Sequence, residues 1–138
     1  MPGEFLDSNV LIYAFTTDAR ARGAQALLER NCLISVQGLN EFTTVARRKL
    51  SMSWEETREA LSAIRALCRG VLPMDVGIHE DALRVAERYG YAIFDALMIA
   101  TALRADCDVL YSEDMQDGLV INGRLRIVNP FANPPAQS

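Results

Sequence analysis

Apolar positions change their spacing repeatedly along the chain. "EFLD" (4–7) reads as a short strand, and helical spacing follows over 9–15 and again over 19–30. "CLISV" (32–36) is a buried, β-branched-rich strand. Leu39, Phe42, Ala46 and Leu50 mark one side of the next helix. Ser53 and Glu56 form an S-x-x-E capping box, which opens a helix that turns Leu61, Ile64 and Leu67 inward and stops at Gly70. "VLPMD" (71–75) is a further strand, weakened by Pro73. A helix over about 78–89 closes at Gly90. The strands "DVLYS" (108–112) and "RLRIV" (124–128) flank an acidic loop.

Strands alternating with helices predict βαβ units. The fold class is therefore α/β, with three α/β/α layers and a mostly parallel sheet of about five strands. Short apolar strands agree, because strands of such a sheet are buried on both faces. Residues 1–130 read as one domain. Residues 131–138 read as a C-terminal tail, since "PFANPPAQS" (130–138) holds three of the five prolines and little to pack.

One segment breaks the pattern. In "YAIFDALMIATAL" (91–103) only Thr101 is polar after Asp95. A helix apolar nearly all round is buried, so a carboxylate at its start is a cap, a metal ligand or a catalytic group.

Composition narrows the chemistry. The 138 residues suffice for one core, and 50% hydrophobic with 23% charged residues is ordinary for a globular chain. No apolar run approaches the ~18 residues of a membrane span, and the first residues lack a secretory pattern. Cys32, Cys68 and Cys107 are widely separated and lie among apolar residues, as expected of reduced thiols in a cytoplasmic protein. The net charge is −4, so nucleic acid binding would need a local patch. Of the 14 basic residues only Lys49 is a lysine; Arg20, Arg22 and "RRK" (47–49) are rim candidates. A single histidine, His79, leaves little room for His-based catalysis and directs attention to carboxylates.

Open α/β sheets bind ligands beyond the carboxyl ends of their strands. Asp7 ends the first strand, Glu41 lies in the first turn or so after the second, and Asp75 ends the third. Asp114, with Glu113 and Asp117 beside it, follows "DVLYS", and Asp95 begins the buried helix before that strand. Taken singly, each has a plainer role: Asp95 as an N-cap, Asp7-Ser8-Asn9 as a turn, Glu41 as a dipole partner, the late acids as a solvated loop. Together, Asp7, Glu41, Asp95 and Asp114 fall on one edge. Mutual repulsion there would be relieved by a hard divalent cation such as Mg²⁺ or Mn²⁺.

"FLDSNVLIYAF", "NEF" (40–42), "FDALMIATAL" and "YSEDMQDG", in this order and spacing, resemble the PIN-domain family, and within it the small VapC-like toxin ribonucleases. The resemblance covers nearly the whole chain. It implies a metal-dependent ribonuclease, the toxin of a type II toxin–antitoxin pair, leaving 5′-phosphate and 3′-hydroxyl ends. The family's acidic quartet maps onto Asp7, Glu41, Asp95 and Asp114. Asp7, Asp95 and Asp114 would hold Mg²⁺ or Mn²⁺, Asp117 matches a further acid that some members use, and Glu41 would ligate or orient water. Ser8 and Asn9 match the polar pair after the first aspartate. Ser112 stands where Thr is common. The resemblance also implies an RNA substrate, an antitoxin partner and a homodimer.

Two other aspartate chemistries fit less well. A phospho-acceptor receiver domain needs an acidic pair at the first strand and a late lysine, and haloacid-dehalogenase-like phosphatases need D-x-D where this chain has Asp7-Ser8-Asn9. A PIN-fold RNA-processing or RNA-binding scaffold remains the alternative.

Overall fold

A computed structural model describes residues 3–132. Residues 133–138, most of the stretch read as a tail, lie outside the described residues. Within that stretch, the Phe131 ring meets Tyr13 edge-on at 5.3 Å.

The sheet has six strands: β1 (Gly3–Leu6), β2 (Leu33–Ser35), β3 (Gly70–Leu72), β4 (Cys107–Tyr111), β5 (Val120–Ile121) and β6 (Leu125–Val128). Their order is β3-β2-β1-β4-β6-β5. All pairings are parallel except β5 with β6. The expected sheet is thus present with one strand more: β5 is a two-residue return strand, too short for any apolar period to announce it. β3 ends before Pro73, which has no N–H to donate to the ladder.

Alternation along the strands places helices on both faces. Phe5 enters one core with Ile78, Ala82 and Val85 of α5 (Val76–Tyr89) and with α6 (Ile93–Arg104). Leu6, the next residue, enters the opposite core. That core is built from α1 (Ser8–Tyr13), α2 (Ala21–Leu28), α3 (Val36–Arg48) and α4 (Trp54–Leu67). Side chains of successive strand residues point to opposite faces, so one strand joins both layers.

Local signals explain most boundaries. The Ser53–Glu56 capping box opens α4 with both reciprocal hydrogen bonds. Asp75 caps α5 by accepting from the Ile78 N–H. Gly90, at φ 77°, closes α5 in the left-handed conformation that glycine adopts without penalty. Residues 96–102 of α6 are all buried, and Thr101 satisfies its hydroxyl on the Leu97 carbonyl.

Two expectations need correction. Asp95 is not the cap of α6: the helix begins at Ile93 after Ala92, without a side-chain cap, and Asp95 lies within the first turn. The extended backbone of Ala92 already turns the chain into the helix, so the carboxylate is free for another role. Glu41 lies in the second turn of α3, because that helix begins at Val36, beyond the reach of the first-turn dipole.

Candidate active site

Asp7 and Ser112 are neighbours because of strand register. Leu6 pairs with Tyr111 across the β1–β4 ladder, so the residues one step beyond emerge side by side. The ladder continues past both strands: the Asp7 N–H donates to the Tyr111 carbonyl and the Ser112 N–H to that of Val128, each at 3.0 Å. Asp7 is 3% exposed and Ser112 is wholly buried.

Each oxygen of Asp7 is engaged. Oδ1 accepts from the Ser8 N–H at 2.7 Å, and Oδ2 accepts from the Ser112 hydroxyl at 2.7 Å. Even so, the carboxyl is pushed up to about 6. Burial is the largest cause. The two hydrogen bonds oppose it, and the charges of Glu41 and Asp95 add to it. Asp95 is also raised, first by burial and then by the charges of Asp114 and Glu41. The four acids therefore share one electrostatic neighbourhood.

The polar residues after Asp7 tie the other acids in place. Ser8 donates to Glu41 Oε1 at 2.6 Å, and Gln37 donates to Glu41 Oε2 at 3.0 Å. The Asn9 amide nitrogen lies 3.2 Å from Asp114 Oδ2 and 3.4 Å from both Asp7 Oδ2 and Ser112 Oγ. Its two hydrogens cannot serve three acceptors, and Asp114 offers the shortest contact. Asn9 Oδ1 accepts from the Glu113 N–H at 3.3 Å, and Ser112 Oγ accepts from the Asp114 N–H at 3.2 Å.

The remaining acids of the late loop point elsewhere. Glu113 accepts from the Tyr13 hydroxyl and from Arg20, both at 2.7 Å. Asp117 accepts from the Asn129 N–H at 2.8 Å and thereby pins the chain beyond β6, apart from the quartet. The predicted site residues Asp7, Ser8, Asn9, Glu41, Asp95, Ser112 and Asp114 thus share one edge, whereas Asp117 is not brought to it.

Sequence reasoning missed Gln37, although its spacing of four from Glu41 on one helix face is the signal for such a pair. It also missed the clamp on Glu113. Arg20, a candidate for the cationic rim, stacks on Tyr13 at 4.5 Å and is paired with Asp18 and Glu113. Arg47 lies over the Trp54 ring at 4.4 Å. Among the described residues, no ion pair reaches any of the four quartet acids.

The donor set suits a hard cation: it is all oxygen, its charges repel, and among the described residues no basic side chain pairs with them. The side chains are not gathered, however. Among the described residues, no three His, Cys, Asp or Glu groups stand close enough to hold a metal ion. Beside the acids lies a cleft of about 500 Å³, lined by Asn40, Glu41 and Asp114 with Ile12, Val45 and Phe94.

The sequence model of the PIN domain matches residues 5–116. No curated protein sequence gives a significant match. Among solved structures, the fold is similar to a toxin–antitoxin complex chain from Klebsiella pneumoniae, with TM-score 0.71 and 21% identity over 93% of this chain and 98% of that one. It is also similar to Mycobacterium tuberculosis VapC20, described as a sarcin–ricin loop cleaving toxin, with TM-score 0.65 and 21% identity over 78% of this chain and 86% of that one. A third is VapBC2 from Rickettsia felis bound to a promoter DNA fragment, with TM-score 0.64 and 17% identity over 91% of this chain and 98% of that one.

Proposed function

The chain belongs to the PIN-domain family, and on that footing we propose that it is a metal-dependent ribonuclease acting as the toxin of a toxin–antitoxin pair. One observation carries this reading. Asp7 is buried and destabilised in its charged form, in a field shared with Glu41 and Asp95, and among the described residues no basic side chain pairs with it. A charged group so placed costs the metal-free protein stability, and such groups cluster at functional sites. The VapC20 and Klebsiella neighbours support the toxin assignment through what they are described as doing.

Asp7, Asp95 and Asp114 would hold Mg²⁺ or Mn²⁺. Asp117, committed to Asn129, would serve at most through water. When bound, the cation supplies charge stabilisation at the phosphoryl group and makes water a stronger nucleophile. The chain's own residues supply order. Ser112 and the Ser8 amide fix the Asp7 carboxylate, Asn9 bridges it to Asp114, and Ser8 with Gln37 orients Glu41 toward the cleft for water or metal. The product ends would be 5′-phosphate and 3′-hydroxyl. A separately encoded antitoxin and a homodimer complete the proposal, within the cytoplasm; no helix of the described residues is long and apolar enough to cross a membrane.

The test is cleavage of total RNA by purified protein freed of any co-purified partner. Discrete cleavage with Mg²⁺ or Mn²⁺, abolished by EDTA, is expected. Folded protein that cuts no RNA with either metal would shift the assignment to the scaffold.

A further inference from the structure

Phe94 is 57% exposed, yet it stands on a helix whose residues 96–102 are all buried. It sits one residue before Asp95, and its ring lines the same cleft as Glu41 and Asp114. Since α6 is held in the core over residues 96–102, the ring stands on a rigid support. Ile12 and Val45 extend the apolar wall, and Asn40 and Gln37 contribute amides. The Asn40 side chain is exposed and makes no hydrogen bond among the described residues. Among the described residues no Arg or Lys lines the cleft; beyond the carboxylates of Glu41 and Asp114 it offers apolar faces and amides to an occupant.

Resting on the ribonuclease reading, we propose that Phe94 is a stacking platform for an unpaired nucleobase beside the scissile phosphate, with Asn40 facing that base's edge. A phosphodiester delivered to the carboxylates brings a nucleoside with it, and the cleft that Glu41 and Asp114 line has an aromatic wall in Phe94. Base-on-aromatic stacking tolerates any sequence, because every base has a π-face. It requires a base free of its duplex.

The test compares Phe94→Ala, Phe94→Leu and Phe94→Trp, all at an exposed position, with folding checked by thermal melts. Stacking is worth about 1–3 kcal/mol per base, so Phe94→Ala should raise KM for a single-stranded oligonucleotide by roughly 5- to 150-fold while kcat changes little. Phe94→Trp should restore KM and Phe94→Leu should not, since leucine replaces the apolar bulk but not the ring. Placed in a Trp54→Phe background, Phe94→Trp leaves one tryptophan. Its emission should be quenched by single-stranded RNA in stopped flow with Mg²⁺, before cleavage proceeds, and not by a blunt RNA duplex. Full function of Phe94→Leu, an unchanged KM in Phe94→Ala, or equal quenching by duplex overturns the proposal. So does a Phe94→Ala defect confined to dimerisation or antitoxin binding. Quenching without cleavage by any variant upholds the platform and fails the nuclease reading; cleavage indifferent to position 94 fails the platform alone.

Discussion

The amide of Asn9 lies 3.2 Å from Asp114 Oδ2, joining the start of α1 to the loop after β4 across 105 positions of sequence. This contact separates two acids that sequence alone leaves equivalent. Asp114 is drawn toward Asp7, while Asp117 is spent on the Asn129 N–H. Asp114→Asn should therefore reduce RNA cleavage by about 100-fold or more, a loss typical of removing charge stabilisation at a reacting centre. Asp117→Asn, which keeps an acceptor for Asn129, should stay within about tenfold of wild type. Cleavage rates at saturating Mg²⁺ check the order, and a larger loss at Asp117 would reverse it.

Asp7 should cost the metal-free protein stability. Its carboxyl ionises near 6 when folded against 3.8 when exposed, so between those values the folded state holds a proton that the unfolded state has lost. Its stabilising share is complete below about pH 4 and is lost as pH rises through 6. The shift corresponds to roughly 3 kcal/mol, part of which Asn would forfeit in its weaker bond from Ser112. In EDTA, Asp7→Asn should melt above wild type at pH 8, and the difference should shrink or reverse at pH 4. A variant less stable than wild type at pH 8 contradicts this.

Ser112 is buried, donates to Asp7 and accepts from the Asp114 N–H. Ser112→Ala leaves buried polar groups unmet and should cost about 1–3 kcal/mol in urea denaturation. Losing that hydrogen bond also removes an influence that lowers the Asp7 pKa. In EDTA, the pH at which the Asp7 carboxyl titrates should therefore move upward, read from the profile of melting temperature against pH. An unmoved profile would separate Ser112 from Asp7 ionisation.

Much of this edge was legible because the topology is. Once strands alternate with helices, Asp7 and Asp114 must emerge beyond carboxyl ends, and burial of the 96–102 stretch follows from its composition. What could not be read depends on partners far away in sequence. Three acids within 113–117 look alike until Arg20 claims Glu113 and Asn129 claims Asp117. The start of α6 was misplaced because Ala92 caps it by backbone conformation alone, with no side-chain signal. β5 has two residues, below the length at which any period exists.

Asp95 offers the most direct test of the central claim, since it neither caps α6 nor makes an ion pair among the described residues. Wild type and Asp95→Asn should be assayed side by side on total RNA with Mg²⁺ or Mn²⁺, with melts on the same preparations. A variant as well folded as wild type that has lost discrete cleavage by about 100-fold or more is the predicted result. Cleavage by folded Asp95→Asn at the wild-type rate would contradict the assignment of this edge as a metal-dependent ribonuclease site.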